Sequence, residues 1–256
     1  MLSFIIPAYN EELELPSTIG AIKAAGGFAA ASPSGGGQDR QYEIIVVDDG
    51  STDATAEIAA LAGAKVVSIN RRQIAAARNA GAQAARGDVL FFVDADTRIN
   101  GKHVIDAHAA LNAGCSGGSA RIETDGTIPW WGRFFVKIFC IVYFANNLGV
   151  GAFLFTTRKN FDAVGGLDER YFAGEEVLLS RALKKLGRFK ILREPIITSG
   201  RKMRMYSAWH LWWRGTRMML GGFRSYRSRD RLDLWYEGKR ETRSGFAASL
   251  RRDRST

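Results

Sequence analysis

Two carboxylates one residue apart, Asp94 and Asp96, directly follow the apolar run Val89-Leu90-Phe91-Phe92-Val93. A buried strand that ends in Asp-Ala-Asp delivers both side chains to the carboxyl edge of a sheet. In open parallel sheets that edge is where ligands bind. Two further apolar runs end the same way. One leads into Pro7-Ala8-Tyr9-Asn10-Glu11-Glu12, the other into Asp48-Asp49-Gly50-Ser51-Thr52-Asp53. Three such ends on adjacent strands would converge on one cleft lined by carboxylates, an aromatic ring and a helix N-terminus. Carboxylates alone repel a phosphate. With a hard divalent cation between them, Mg²⁺ or Mn²⁺, the same set suits a diphosphate. An Asp-x-Asp by itself is common as a solvated turn, so its place at a strand end carries the argument.

The elements that must hold these ends are legible as alternation. Short apolar runs at Leu2–Ile6, Glu43–Val47, Lys65–Ile69, Val89–Val93, Ser119–Ile122, Val150–Phe155 and Phe189–Leu192 read as strands buried on both faces. Helices are expected over Glu12–Ala25, from the N-cap candidates Ser51-Thr52-Asp53 to Gly63, over Gln73–Arg86 and over Glu175–Leu186. Strand–helix–strand alternation predicts an α/β fold with a mostly parallel, Rossmann-like sheet flanked by helices. The Gly, Ala and Ser-rich stretch Gly26–Gln41 reads as a flexible surface insertion. Residues Ile138–Thr157 contain no charge over 20 positions, long enough to span a bilayer. Asn146-Asn147 in the middle, and Gly149 and Gly151 after them, favour instead an apolar helix over Pro129–Asn146 followed by a core strand.

Composition narrows the classes. The 256 residues are 46% hydrophobic and 24% charged, ordinary for a folded chain. Cys115 and Cys140 form no CxxC, and His103, His108 and His210 form no HExxH, so neither a zinc site nor a structural disulfide is expected. The run Ser3–Pro7 reads as a first core strand and not as a signal peptide, since no charged segment precedes it; a cytoplasmic protein is expected. Charge is uneven. Residues 201–256 hold 15 of the 36 Lys+Arg and 5 of the 26 Asp+Glu, so the whole net charge of +10 lies there. This divides the chain into a domain at 1–200 and a basic, Trp- and Arg-rich segment at 201–256. Trp209, Trp212 and Trp213 interleaved with Arg214 and Arg217 suit an anionic membrane surface, which would make the protein peripheral on the inner face of a membrane. Packing on the first domain is the alternative, and no RNA-binding motif points to nucleic acid.

Four blocks together resemble a family 2 glycosyltransferase of the GT-A fold: Ser3–Glu12; Glu43–Asp53; Ala77-Arg78-Asn79-Ala80-Gly81 with Gly87–Asp96; and Gly165-Gly166-Leu167-Asp168-Glu169 with Gly174-Glu175-Glu176. The resemblance spans residues 3–190. It implies a nucleoside-diphosphate sugar donor and a glycan or lipid-linked acceptor in cell-envelope synthesis. It further implies that Pro7, Ala8, Tyr9 and Glu11 line the nucleoside pocket and that Asp49, with Asp48 second, accepts a hydrogen bond from the base. Arg78 would lie near the donor, Asp94 would approach the ribose or sugar, and Asp96 would ligate the metal. The alternative for Arg78 is a helix-face salt bridge. The family usually has Glu-Asp where this chain has Glu175-Glu176, so Glu176 stands at the position of the catalytic base. Arg201 and Lys202, next to Gly200, suit a loop over a diphosphate. The other readings are a nucleotidyltransferase and a non-catalytic nucleotide-sugar binder. The first would carry a Gly-rich basic loop after the first strand, where this chain is acidic and aromatic. A dehydrogenase lacks its GxGxxG.

Overall fold

The computed structural model describes residues 1–31, 41–126 and 129–201, with Met205, Trp209 and Arg227. Lys202, residues 32–40 of the expected insertion and nearly all of the basic segment lie outside the described residues.

Four strands form the parallel half of one sheet: β1 (Leu2–Ala8), β2 (Tyr42–Asp49), β3 (Lys65–Ile69) and β4 (Val89–Val93), in the order β3-β2-β1-β4. The sheet continues through β7 (Phe153–Thr157), antiparallel to β4, then β6 (Cys115–Thr124), β8 (Arg188–Thr198) and the two-residue β5 (Thr97–Arg98). The β6–β8 pairing is parallel and β5–β8 antiparallel. Alternation along each strand feeds two cores. Phe4, Ile6, Val46, Phe91 and Val93 point to one face, where α1 (Leu15–Ala31) and α4 (Gly101–Asn112) cover them with Leu15, Ile19, Ile22, Val104 and Ala107. Ile5, Ile45, Val47, Leu90 and Phe92 point to the other, under α3 (Ile74–Ala84), α6 (Arg158–Ala163) and α7 (Glu175–Leu186). Burial on both faces is why these strands read as unbroken apolar runs.

Several boundaries differ from expectation. The first helix runs on to Ala31 and takes in Gly26 and Gly27, because the alanines that follow Phe28 are good helix formers. The ring of Phe28 lies over Gly101, where a Cβ would sit 2.0 Å from it. Ser51 and Thr52 do not cap α2 (Thr55–Leu61); its N-cap is Ala54 with no side-chain bond. Both hydroxyls instead meet Asn10 across the cleft floor. The strand expected from Val150 starts at Phe153, since residues 146–152 turn through Asn147 at φ 53°. β8 extends past Leu192 to Thr198, and a bulge opposite Ala120/Arg121 absorbs Arg193-Glu194. Helix α5 (Trp130–Ala145) forms as expected, but it turns Trp130, Phe134, Ile138 and Ile141 to solvent instead of to the core.

Candidate active site

The carboxyl ends of β1, β2 and β4 lie side by side, and hydrogen bonds zip the first two together. Asn10, at φ 52°, donates its backbone N–H to Ser51 Oγ and accepts the Thr52 N–H at 2.8 Å. The Glu11 N–H donates to Thr55 Oγ1, and the Glu12 N–H to Asp53. Pro7 and Tyr9 are half-buried beside buried Ala8. Over the Tyr9 ring sits the Arg72 guanidinium, 3.3 Å from the centroid, a cation–π contact worth about 0.5–1 kcal/mol when partly exposed. Arg72 was not expected at the site. The Arg71-Arg72 pair after β3 was the available signal, and φ of 50° at Arg72 marks a turn held in place.

Asp49 holds that turn. It accepts the backbone N–H groups of Arg71 and Arg72 at 2.7 Å on Oδ1 and of Gln73 at 2.6 Å on Oδ2. Three of roughly four acceptor positions are thus filled. Asp48 accepts the Ser51 N–H at 3.3 Å.

Around the Asp-Ala-Asp turn the carboxylates are paired with two buried arginines. Arg78, on α3, is 2% exposed. It donates to Asp94 Oδ1 at 2.7 Å, to the Gly151 carbonyl at 2.8 Å and to Glu175 Oε1 at 2.9 Å, while its Nε has no partner among the described residues. This is not the expected alternative of a helix-face bridge, because both partners come from other elements. Burial works against the Arg78 charge, and Asp94, Glu175 and Glu176 outweigh it, so its pKa stays above the ordinary value. Arg201 grips Glu11 in a two-pronged pair at 2.6 and 2.7 Å and reaches Asp96 at 3.2 Å. Behind it, Glu14, also unexpected from sequence, accepts from Ser199 Oγ at 3.1 Å. Burial first, then the negative charge of Asp96, pushes Glu14 up to about 7.

The two adjacent glutamates have separate lives. Gly174, at φ 74°, lets the chain turn sharply into α7, so that both carboxylates sit in its first turn. Glu175 is buried and committed to Arg78. Glu176 is half-buried; its backbone carbonyl accepts from Ser180 Oγ, and its carboxyl makes no hydrogen bond or ion pair with another described residue. Burial and the Glu175 charge push it from the ordinary 4.5 up to about 8, against the pull of Arg78. A carboxyl poised near neutrality is suited to exchange a proton with a substrate hydroxyl.

Among the described residues no three His, Cys, Asp or Glu converge to hold a metal. A hard cation bound through one carboxylate and substrate phosphates needs no such cluster. Asp96 fits that donor set.

Comparison with known proteins identifies the family and the fold. A family model described as glycosyl transferase family 2 matches residues 3–165. The dolichyl-phosphate beta-glucosyltransferase of Drosophila melanogaster is 41% identical over 104 residues, 37% of this chain and 30% of that protein. The undecaprenyl-phosphate 4-deoxy-4-formamido-L-arabinose transferase of Aeromonas hydrophila subsp. hydrophila is 36% identical over 104 residues, 38% of this chain and 29% of that one. The matched part thus spans less than a third of either relative. Among solved structures, glucosyl-3-phosphoglycerate synthase from Mycobacterium tuberculosis, in complex with Mn²⁺ and UDP-glucose, superposes with a TM-score of 0.60 at 18% identity, over 94% of this chain and 80% of that one.

Proposed function

The chain belongs to glycosyl transferase family 2 and is a glycosyltransferase of the GT-A fold, and on that footing we propose that it moves a sugar from a nucleoside-diphosphate donor to an acceptor hydroxyl with inversion at the anomeric carbon. The observation that carries this reading is the separation of Glu175 from Glu176: one neutralises Arg78, the other keeps an unpaired carboxyl with a raised pKa.

Donor binding falls to the β1, β2 and β4 ends. Pro7, Ala8 and Tyr9 flank the nucleoside, and Asp49 or Asp48 accepts a hydrogen bond from the base. Arg78 keeps Asp94 turned to the ribose or sugar. Arg201 lies against Glu11 and Asp96, close enough to answer the diphosphate's charge; Lys202 joins it in this proposal. A Mg²⁺ or Mn²⁺ ion would be held by Asp96 and would supply stabilisation of the negative charge on the departing diphosphate. Glu176 takes the acceptor's hydroxyl proton. The oxygen bonds to the anomeric carbon on one face as the bond to the diphosphate oxygen breaks on the other. The electron pair leaves with the nucleoside diphosphate, through an oxocarbenium-like state.

The names of the two relatives support a lipid-linked acceptor, in cell-envelope glycan or glycolipid synthesis. The +10 charge of residues 201–256 supports a second segment, beyond a catalytic domain at 1–200, that rests on the cytoplasmic face of an anionic membrane. Titration calorimetry of UDP and GDP with and without Mn²⁺ tests the donor site. Wild type should bind one of them in a Mn²⁺-dependent way, and Asp96→Ala should lose the dependence while keeping its circular dichroism. Unchanged Mn²⁺-dependent affinity in Asp96→Ala removes Asp96 from the metal site.

A further inference from the structure

Helix α5 carries its apolar residues on the wrong side for a core helix. Trp130 is 80% exposed, Phe134 63%, Ile138 46% and Ile141 59%. Arg133 and Lys137 are exposed with them. At 100° per residue these six positions occupy an arc of roughly 140°, with both cations on one flank. The opposite side, with Gly132 buried and Val136, Cys140 and Tyr143 half-buried, faces the protein and packs on β6. No acidic residue occurs between Trp130 and Ala145. The 16 residues make a rod of roughly 24 Å, and no described helix is long and apolar enough to cross a membrane. An apolar stripe edged by cations and free of carboxylates is complementary to a layer of lipid acyl chains under anionic headgroups.

The chain on either side of α5 is tied to the cleft. Before α5, Asp125 accepts the Gly200 N–H, next to Arg201. After it, Asn146 accepts from Lys184 of α7, and the Gly149 N–H donates to Ser180 Oγ, which itself donates to the Glu176 carbonyl. Two residues on, the Gly151 carbonyl accepts from Arg78. The excursion that contains α5 is therefore anchored at both ends to the residues assigned to donor and acceptor.

We propose that the outer face of α5 docks on the surface of an anionic lipid bilayer, with Trp130, Phe134, Ile138 and Ile141 at the acyl boundary and Arg133 and Lys137 against lipid phosphates. Docking there holds the Glu176 side of the cleft at the membrane, where a lipid-linked hydroxyl or phosphate arrives; that consequence, unlike the docking, rests on the proposed acceptor class.

The test is co-flotation of the full chain with vesicles of phosphatidylcholine alone or with phosphatidylglycerol. Circular dichroism, gel filtration and Mn²⁺-dependent binding of UDP and of GDP are measured in parallel. Wild type should float with the anionic vesicles. The variant Phe134→Ser/Ile138→Ser/Ile141→Ser should bind them about tenfold more weakly or worse. Arg133→Gln/Lys137→Gln should weaken the preference for phosphatidylglycerol without abolishing it, since residues 201–256 keep their +10 charge, and Leu61→Ser/Leu186→Ser, exposed elsewhere, should behave as wild type. The docking is overturned if wild type ignores the vesicles, or if the triple variant floats like wild type, for then another segment such as residues 201–256 makes the contact. It is equally overturned if the triple variant unfolds, which would mean the face is packed, or if wild type is a dimer that the variant splits. Vesicle binding as expected with neither UDP nor GDP bound by wild type or any variant would sink the donor reading and leave the docking standing.

Discussion

Replacing Glu176 by Gln removes a titratable proton while keeping shape and polarity, and it should move activity and stability in opposite directions. In the folded chain Glu176 is raised from 4.5 to about 8, by burial and by Glu175, with Asp94 adding and Arg78 opposing. A carboxyl that holds its proton more tightly folded than unfolded makes the fold bind extra protons between those two values. Stability therefore falls as pH rises through that window. The full shift corresponds to at most about 5 kcal/mol at pH above 8, and the solvent contact of the half-buried carboxyl lowers the expected effect to roughly 2–4 kcal/mol. Gln never ionises and keeps that stability. Melting followed by circular dichroism should give equal Tm values near pH 4.5 and a variant more stable by roughly 4 °C or more at pH 8.5, for a chain of this size. Transfer should fall by about 10²–10⁴-fold with donor affinity unchanged. Wild-type kcat/KM should rise with pH towards a plateau above about 8, as the base loses its proton. Coincident melting of the two proteins at every pH would refute the buried, raised carboxyl. Transfer within tenfold of wild type would refute the base.

Arg78→Met leaves Glu175 buried without its cation, and breaking one side of such a pair should cost about 3–5 kcal/mol in urea denaturation at pH 7. The loss should shrink in acid, where the stranded carboxylates take up protons. Gly81→Ala would place a Cβ 2.3 Å from Ile5 Cγ2 and 3.0 Å from Val47 Cγ2, where α3 crosses β1 and β2; overpacking should cost about 1–3 kcal/mol by the same assay. Asp96→Ala should cost less than Arg78→Met by the same assay, because Arg201 keeps both of its bonds to Glu11.

The parts legible in the sequence are those written in local pattern. Val-Leu-Phe-Phe-Val between Gly87-Asp88 and Asp94, and Lys65–Ile69 after Gly63, have the boundaries their apolar runs suggest. Glu175–Leu186 likewise runs from a left-handed Gly174 to Gly187. Thr97-Arg98 is too short to carry a period, and it exists only because β8 passes beside it. The charge pairs were illegible for a related reason: Arg201 meets Glu11 across 190 positions and Glu14 meets Ser199 across 185. Arg201 was expected from its basic run, but nothing local indicated that it would be buried between two carboxylates. Helix α5 is a subtler case. It is apolar nearly all round, so its sequence has no stripe to say which side faces the protein; only the packing of Gly132 and Val136 against the body decides it.

The central claim is a single inverting displacement on a nucleotide sugar, and water can stand in for the acceptor. With Mn²⁺ and α-linked UDP-glucose, or GDP-mannose if calorimetry selects GDP, early proton NMR spectra of slow donor hydrolysis should show the β-anomer of the free sugar first, before mutarotation. Release of the α-anomer first, or no turnover of either donor with or without Mn²⁺, would contradict the account.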